Sequence, residues 1–472
     1  MATLKYIFII LEVLMLFNLL IGVHELGHFL AAKWRGLKIE RFAIWFGKPI
    51  WKRKFGGVEY ALGWIPAGGY VALPQMATME AIEGKSESSE QPLPNISALD
   101  KIIVAVAGPL FSFLLAVAFA VIVWQVGKPV NNAGDSTVIG WVDPTGPAAK
   151  SGLRPGDKIL ALDGHVVSHF SPPSQDSVKW RIITSEGTNI AVKYLRDGQE
   201  AMAYPVPYHR PTKWYERRAL RQILIDATYP AVVDQVLTNS PAALAGLKPG
   251  DEIIAVNGEK IYSFVAVMQL EQAMTNGAIK PVAMIIRRGS EQFERELLAE
   301  KPVTPAKVGP LFGIAWQMDT NTALLHPSPL QQIQESAGQI FATVGALFHK
   351  NDIGLQQLGG AVMIVRVYSN LFDSEQGWRL VLWFSVVMNV NLAMLNMLPF
   401  PVLDGGHILL ALLEVIRRRP VSAKILQYIQ TGCAVFLIGF MIFIAFFDIS
   451  DWVRSPRASQ QEEQPVTFAP KK

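Results

Sequence analysis

Residues 6–30 of the chain read YIFIILEVLMLFNLLIGVHELGHFL. This stretch is long and apolar enough to cross a membrane, because a helix needs about 20 apolar residues to span the hydrocarbon core. It nevertheless places Glu25 between two histidines, His24 and His28. Such side chains cost roughly 2.5–3.5 kcal/mol or more each in hydrocarbon, and they normally face an internal site. The stretch therefore predicts a membrane-spanning helix that carries a functional site.

The composition as a whole also indicates a multi-span α-helical membrane protein. Half of the 472 residues are apolar, only 17% are charged, and the apolar residues are concentrated in blocks. We expect four transmembrane helices, at residues 6–32, 102–126, 378–410 and 425–447, the third of which includes a Leu-Asp-Gly segment. The first span is too long for a cleaved signal peptide and lacks a small-x-small cleavage site.

Basic residues beside the spans predict the orientation in the membrane. Residues 33–54 contain eight lysines and arginines against one glutamate, which is typical of a cytoplasmic segment. Arg417, Arg418, Arg419 and Lys424, between the last two spans, lie on the same side under this prediction. Residues 127–377 and both termini are then expected to be periplasmic.

The charge and cysteine content exclude other classes of protein. The net charge of +4 is small for this length, and no dense basic patch with interleaved aromatic residues is present, so we expect no nucleic-acid partner. The single cysteine, Cys433, cannot close an internal disulfide.

The expected periplasmic region contains a repeat at an offset of 94 residues. GLRPGD at 152–157 matches GLKPGD at 246–251, and each copy continues into an apolar strand and an Asx-Gly turn. The pattern resembles bacterial PDZ domains, which implies two PDZ-like α+β domains at 127–220 and 221–305. Such domains bind peptide ligands at a sheet edge or act as gates; a role as simple spacers stays open.

The remaining segments are less informative. Residues 306–377 are predicted to be a partly helical connector, either packed against its neighbours or lying on the outer membrane surface. Residues 453–472 form a polar tail that we expect to be disordered.

The spacing of His24, Glu25 and His28 suits metal-assisted hydrolysis. On an α-helix the two histidines share a face and can bind one metal ion, while Glu25 lies beside it as a base. A catalytic zinc takes a third protein ligand. We favour Asp404, because two prolines before it end the third span and let the chain fold back; a loop carboxylate or helix cap is the alternative. For His407 we favour a supporting role.

Three features together resemble the site-2 proteases, intramembrane zinc metalloproteases. They are residues 24–28 in the first span, the run 396–405 (N-x-x-P-x-P-x-L-D-G), and the tandem repeat between the second and third spans. The resemblance implies one zinc ion, held by His24, His28 and Asp404, with Glu25 as catalytic base. It also implies residence in the bacterial inner membrane, an active site near the cytoplasmic side, and substrates with one membrane span, such as a pre-trimmed anti-sigma factor and remnant signal peptides.

A helical substrate must unwind before its carbonyls are accessible. Val58–Leu73, within the cytoplasmic-side region 33–100, is strand-like and predicts a re-entrant β-hairpin whose edge could pair with extended substrate. The candidate substrate-binding residues are Gly68, Gly69, Tyr70 and Val71 in this stretch and Asn396 in the third span. A Gly-Pro loop and a helix-packing amide are the respective alternatives.

Two other classes of function compete with a protease. A metal transporter would explain polar groups inside spans, but it predicts related half-repeats among the spans, whereas this repeat lies outside them. A non-catalytic PDZ adaptor would leave Glu25 unexplained. Zinc-dependent endoproteolysis is therefore the preferred hypothesis.

Overall fold

The computed structural model describes residues 2–76, 96–131, 134–171, 175–305, 308–317, 322–349, 352–374, 376–418, 423–454 and 465–470. Arg419, residues 77–95 of the expected cytoplasmic-side region, and residues 455–464 and 471–472 of the tail lie outside this description. The chain divides into two compact units. The first comprises Met1–Pro129, Leu325–Phe341 and Leu358–Asp448; the second comprises Val130–Leu324, Ala342–Gln357 and Ile449–Lys472.

The helices and strands are numbered in chain order. The helices are α1 (Ala2–Trp34), α2 (Ala98–Val126), α3 (Pro147–Lys150), α4 (Val178–Thr184), α5 (Pro241–Leu244), α6 (Val265–Asn276), α7 (Pro329–Phe348), α8 (Ala361–Asp373), α9 (Gly377–Asn396), α10 (Asp404–Arg417) and α11 (Ala423–Arg454), with 3-10 turns at Pro74–Met76 and Leu355–Gln357. The strands are β1 (Arg41–Phe55), β2 (Val58–Ala72), β3 (Lys128–Asn131), β4 (Ile139–Val142), β5 (Lys158–Leu162), β6 (His165–Val166), β7 (Val192–Arg196), β8 (Gln199–Ala203), β9 (Ile225–Ala227), β10 (Val233–Val236), β11 (Glu252–Val256), β12 (Glu259–Lys260), β13 (Val282–Arg288), β14 (Glu291–Leu297), β15 (Ile314–Trp316) and β16 (Thr322–Leu325).

Four helices of the described chain are long and apolar enough to cross a membrane. Their spans are Ile7–Trp34, Ala98–Val126, Gly377–Asn396 and Ile425–Arg454, in α1, α2, α9 and α11. The prediction of a membrane protein with four such helices is confirmed. The third span ends at Asn396, and residues 397–403 are not helical, so α10 is a separate helix.

Helix α2 packs against both α1 and α9. It begins at a capping box in which Ser97 Oγ accepts a hydrogen bond from the Asp100 N–H while the Asp100 carboxylate accepts one from the Ser97 N–H. Its small, fully buried residues, such as Ala116 and Ala120, form one apolar cluster with Leu20 of α1 and Val386 of α9. Small side chains let helices approach closely within a membrane, so α2 brings the other two helices to a common centre.

The expected hairpin at 58–73 has a different form. Residues 58–72 are a single long strand, β2, that pairs with β1. Phe42 of β1 pairs with both Tyr60 and Val71, so residues 41–44 lie between the two halves of β2. The halves of 58–73 therefore do not pair with each other, because the preceding strand occupies the position between them. Val71 is fully buried among residues such as Phe29 of α1 and Val104 of α2, which anchors the sheet to these helices.

The two copies of the sequence repeat have the same sheet topology. Their four-stranded sheets have the orders β6-β5-β7-β8 and β12-β11-β13-β14, and each encloses its own apolar cluster. Each copy extends further than expected: β9 pairs with β4 beyond residue 220, and β15 pairs with β10 beyond residue 305. We call residues 134–227 the first repeat domain and residues 229–316 the second.

The aspartate at the end of the repeated motif has the same role in both copies. Asp157 and Asp251 are almost fully buried, and each carboxylate accepts hydrogen bonds from one guanidinium, Arg196 and Arg288 respectively, at 2.6–2.7 Å. Bidentate pairs of this kind are among the strongest side-chain interactions. Each pair joins the Pro-Gly-Asp turn to the end of a central strand.

Candidate active site

Helix α1 places the two histidines of the first span side by side. His24 and His28 are four residues apart, and their Nε2 atoms lie 3.2 Å from each other. Both residues are buried, with 6% and 2% of their surface exposed. Helical geometry alone produces this convergence, since residues i and i+4 lie one above the other.

The break after α9 brings Asp404 to the same point. Helix α9 ends at Asn396, the prolines at 399 and 401 prevent its continuation, and Asp404 is the first residue of α10. Asp404 Oδ2 lies 3.3 Å from His24 Nε2, and Oδ1 lies 3.3 Å from His28 Nε2. A carboxylate on one segment therefore faces two imidazoles on another, across 376 residues of sequence from His28.

The two glycines after Asp404 allow this turn to close. A Cβ at Gly405 would lie 2.2 Å from the Met397 carbonyl oxygen, and one at Gly406 would lie 2.1 Å from the Phe400 carbonyl oxygen. Any larger residue would push the start of α10 away from residues 397–401. Asp404 is therefore positioned by a close backbone approach that requires glycine.

The donor set of two imidazole nitrogens and a carboxylate fits one zinc ion. Zinc bonds to nitrogen and oxygen at about 2.0–2.1 Å in tetrahedral sites, which places neighbouring ligand atoms about 3.3 Å apart. The two Nε2 atoms lie 3.2 Å apart, and each lies 3.3 Å from a different oxygen of the Asp404 carboxylate, so the facing groups are close enough to share one ion. In the described part of the chain, His24, His28 and Asp404 are the one group of three or more potential ligands that could hold a metal ion. His407 follows Asp404 closely in sequence and is also buried, but it is not part of this group.

Helix α2 fixes which nitrogen of each histidine is available. His28 Nδ1 lies 2.8 Å from the Val104 carbonyl oxygen, and His24 Nδ1 lies 3.0 Å from Ser112 Oγ. A carbonyl oxygen only accepts, so His28 Nδ1 carries the proton and Nε2 keeps its lone pair. Such outer partners orient metal-ligating histidines and fix their tautomers.

Two glycines let α1 and α2 approach at the site. A Cβ at Gly108 would lie 2.2 Å from His28 Nε2 and 2.9 Å from His24 Nε2, and a Cβ at Gly27 would lie 2.4 Å from the Ala107 carbonyl oxygen. Each helix thus presents a glycine to the other at this crossing. The imidazoles occupy the space that a side chain at 108 would fill.

Glu25 lies between the histidine cluster of α1 and strand β2. Its Oε2 atom is buried and has no hydrogen-bond partner within the described residues. Gly69 of β2 approaches it, since a Cβ at Gly69 would lie 3.3 Å from Glu25 Cγ. A buried carboxylate oxygen without a partner is costly to maintain, which indicates a functional role.

Comparison with known proteins agrees with this site. The sequence profile of peptidase family M50 matches residues 12–440. This chain belongs to peptidase family M50. The regulator of sigma-E protease RseP of Escherichia coli strain K12 is 28% identical over 450 residues, covering 92% of this chain and 96% of the relative. RseP of Salmonella typhimurium strain 14028s is 27% identical over 450 residues with the same coverage, and the regulator of sigma E protease of Haemophilus influenzae is 27% identical over 453 residues, covering 91% and 96%.

As a member of peptidase family M50, the chain is a zinc metalloprotease with apolar, membrane-spanning helices. The sequence resemblance to the site-2 proteases is confirmed at the level of the family. The roles of individual residues rest on the geometry described above.

Some of the candidate substrate-binding residues lie beside the histidine cluster. The others pack against residues elsewhere in the protein. Gly69 lies against Glu25, and Asn396 Nδ2 lies 3.3 Å from His24 Nε2. The ring of Tyr70 stacks on Phe46, and a Cβ at Gly68 would overlap the Phe46 ring. The Val71 side chain is fully buried in the core. Among these candidates, Gly69 lies beside Glu25 and Asn396 lies beside His24.

Sequence reasoning missed the contribution of α2. Val104, Gly108 and Ser112 form one helical face at spacings of four residues, and all three lie against His24 or His28. The available signal was a glycine followed by Pro109, with a serine, inside an otherwise apolar span. Small and polar residues in a membrane helix commonly mark a helix interface.

Proposed function

We propose that this M50 protease cleaves single-span membrane proteins within the bilayer of the bacterial inner membrane, as a step of regulated intramembrane proteolysis. The observation that carries the proposal is the position of His24, Glu25 and His28 on α1, a helix long and apolar enough to span a membrane. A site built there meets peptide bonds at membrane depth.

His24 and His28, through Nε2, and Asp404, through its carboxylate, would hold the zinc ion. When bound, zinc polarises the carbonyl of the peptide bond and makes a water molecule more acidic. The Val104 carbonyl and Ser112 Oγ keep the two imidazoles in the required orientation. Glu25 is not a ligand in this arrangement and is free for proton transfer.

Glu25 acts as general base and then as general acid. Its carboxylate takes a proton from the water that attacks the carbonyl carbon, and it gives that proton to the amide nitrogen as the carbon–nitrogen bond breaks. The products are a new carboxyl end and a new amino end, so the reaction needs no covalent intermediate with the enzyme. The lack of a hydrogen-bond partner for the buried Oε2 atom is consistent with this role.

The substrate helix has to open near the cluster. Residue 69 lies beside Glu25 on an extended strand, which is suited to pairing with an extended substrate segment. The Asn396 amide contacts His24 Nε2 in this structure, but that nitrogen's lone pair is needed for zinc. A zinc ion on that nitrogen would leave the Asn396 amide available to donate a hydrogen bond to the substrate backbone.

The substrates we infer are a pre-trimmed anti-sigma factor and remnant signal peptides. The inference rests on the resemblance of the sequence motifs to the site-2 proteases, and it is supported by relatives named regulator of sigma-E protease that align over more than nine-tenths of this chain. We place the active site near the cytoplasmic side, and the repeat domains and both termini in the periplasm, from the basic residues at 33–54.

We infer that the repeat domains are tandem PDZ domains that exclude substrates with bulky ectodomains. Their shared topology and Pro-Gly-Asp turns support the assignment. A chain that lacks residues 130–317 should cleave substrates with intact ectodomains that the full chain refuses. Unchanged discrimination would instead leave the domains as spacers or docking sites for peptides.

The test of the proposed function is cleavage in liposomes. Purified protein should cut a reconstituted test substrate with one membrane span and a short ectodomain, and mass spectrometry should place the cut within the apolar segment. Glu25→Gln, which preserves the side-chain shape, should abolish the cut. A cut only outside the apolar segment, or persistent cleavage in Glu25→Gln, would refute the proposal. Absence of any cut by the parent protein would also refute the proposal, and it is the result expected of a metal transporter or a non-catalytic adaptor.

A further inference from the structure

One segment of the C-terminal tail is extended and packed. Residues 465–470, with the sequence PVTFAP, lie in contact with the second repeat domain. The expectation of a disordered polar tail is wrong for this segment. Its burial alternates: Thr467 and Ala469 are exposed, whereas Phe468 is 5% exposed. This pattern is that of an extended segment with one face against a protein surface.

The backbone of the tail pairs with the segment that follows β14. Thr467 and Thr304 form an antiparallel bridge. The Thr467 N–H donates to the Thr304 carbonyl oxygen at 3.0 Å, and the Val303 N–H donates to the Thr467 carbonyl oxygen at 2.7 Å. The tail is therefore bound by one antiparallel bridge, which uses the same backbone pairing by which many domains recognise extended peptides.

Phe468 occupies a slot over Gly313. Gly313 has a φ of +79°, and a Cβ there would lie 2.2 Å from Ser240 Cβ and 3.0 Å from Phe468 Cε2. Glycine is thus needed both for the backbone conformation and for the space beside the ring. The slot lies at the turn before β15, and its backbone is held by the Leu237 N–H, which donates to the Gly313 carbonyl oxygen at 2.9 Å. We call the surface formed by Val303, Thr304, Gly313 and Ser240 the tail slot.

Residues 449–454, at the end of α11, belong to the same compact unit as the repeat domains. Arg454 lies 4.1 Å over the Tyr215 ring and forms an ion pair with Glu216, while Arg217 pairs with Asp451 at 2.6 Å. Ten residues of sequence then connect Arg454 to Pro465. Because the tail is covalently attached, its docking is intramolecular, and any free peptide has to compete with it.

We propose that the tail slot is a peptide-binding site for an extended segment with an aromatic side chain, and that Pro465–Pro470 is its resident ligand. One buried side chain and a short backbone pairing hold the segment, and the residues on both sides of Phe468 are exposed. Such a contact is small enough to open. The tail covers the slot until a competing peptide of the same chemistry displaces it.

The test measures binding of a fluorescent peptide with the sequence of residues 465–472. The full chain, a variant that ends at Gln464, and full-length Phe468→Ala are purified in detergent, and zinc content verifies that each is folded. The peptide should bind the truncated chain and Phe468→Ala saturably, and it should bind the parent at least tenfold more weakly. Ala469→Ser, which changes an exposed neighbour of Phe468, should behave as the parent.

Two peptide variants test the two parts of the slot. A peptide with alanine in place of Phe468 loses the buried ring, and one with an N-methyl group on Thr467 loses the N–H that bonds to Thr304. Each of these two peptides should bind the truncated chain at least tenfold more weakly than the unmodified peptide does. Absence of saturable binding to both the truncated chain and Phe468→Ala, equal binding to the truncated chain and the parent, or equal binding of the alanine peptide would overturn the proposal. None of these readouts depends on proteolysis.

Discussion

Ser112 Oγ lies 3.0 Å from His24 Nδ1, and the serine is fully buried. The hydroxyl oxygen is thus placed to accept a hydrogen bond from the Nδ1–H group, which leaves the Nε2 lone pair for the metal. This contact connects α2 to the ligand set although α2 contributes no ligand of its own in the described structure.

Ser112→Ala should weaken zinc binding by about 10–100-fold, the usual effect of removing an outer partner of a metal-ligating histidine. The measurement is zinc affinity by competition with a chelator. Ser385→Ala is the matched control, because Ser385 is also a fully buried serine in a membrane helix but bonds to Tyr368 instead. Equal zinc affinities of the two variants would contradict the positioning role of Ser112.

Gly108→Ala should disturb the ligands themselves. The added methyl group would lie 2.2 Å from His28 Nε2, so the ring or the helix must move. We expect roughly tenfold or greater loss of zinc affinity, with loss of cleavage. Gly22→Ala provides the control, since a Cβ at this helical glycine has no neighbour within 4 Å. Normal zinc binding by Gly108→Ala would show that the helix crossing is not as tight as described.

Gly69→Val should impair cleavage while zinc remains bound. A Cβ at Gly69 already lies 3.3 Å from Glu25 Cγ and 3.1 Å from the Ala43 carbonyl oxygen, and the branched side chain adds bulk beside the base. Lys54→Ala, at the exposed far end of the same sheet, should leave the rate unchanged. Cleavage and zinc content are measured on the same preparations, and a parental rate for Gly69→Val would remove residue 69 from the substrate site.

Substrates with weak helices should be cut faster. Glycine near the scissile bond lowers the cost of opening a helix by about 1 kcal/mol, and proline by about 3 kcal/mol, relative to alanine. Rates for a substrate series with alanine, glycine or proline at one position near the cut should therefore increase in that order. If the alanine substrate is cut as fast as the others, unwinding does not limit the reaction.

The second repeat domain should lose stability between pH 4.5 and pH 7. Burial raises the pKa of Glu271 from 4.5 to about 7, although the Phe312 N–H, which donates to Oε1 at 2.7 Å, opposes that shift. A raised carboxyl pKa means that the folded state binds the proton more tightly than the unfolded state does. The protonated Glu271 side chain therefore contributes fully to the free energy of unfolding below pH 4.5, and this contribution is lost as the pH rises through 7.

Hydrogen exchange of peptides from residues 265–316 in the full chain, expressed as protection factors, measures this loss. Glu271→Gln removes the titrating group and should make protection nearly independent of pH over the same interval. Glu259→Gln changes an exposed carboxyl group of the same domain and should keep the parental dependence. A parental pH dependence in Glu271→Gln would assign the effect to another group.

The sequence predicted which three side chains converge, but not the contacts that support them. His24 and His28 follow from helical spacing, and Asp404 follows from the two prolines that end the third span. The Val104 carbonyl contact and the glycine at 108 could not be predicted, because they depend on how α1 and α2 cross. The register and the crossing angle of α1 and α2 arise from packing along the whole helix pair, so a short sequence pattern does not predict them.

The structures of strands β1 and β2 and of the tail segment 465–470 also depend on contacts between residues that are distant in sequence. The strand character of 58–73 was evident, but the position of residues 41–44 between its halves depends on long-range pairing. The PVTFAP segment has the alternation of a strand over too few residues to be distinguished from a polar tail. Only its contact with Thr304 and Gly313 gives it structure.

Zinc stoichiometry of the purified protein tests the central claim most directly. The parent and Glu25→Gln should each carry about one zinc per chain, because Glu25 is a base and not a ligand, whereas Asp404→Ala should lose most of its zinc. Undiminished zinc in Asp404→Ala would contradict the assignment of the third ligand, and loss of zinc from Glu25→Gln would contradict the separation of base from ligands.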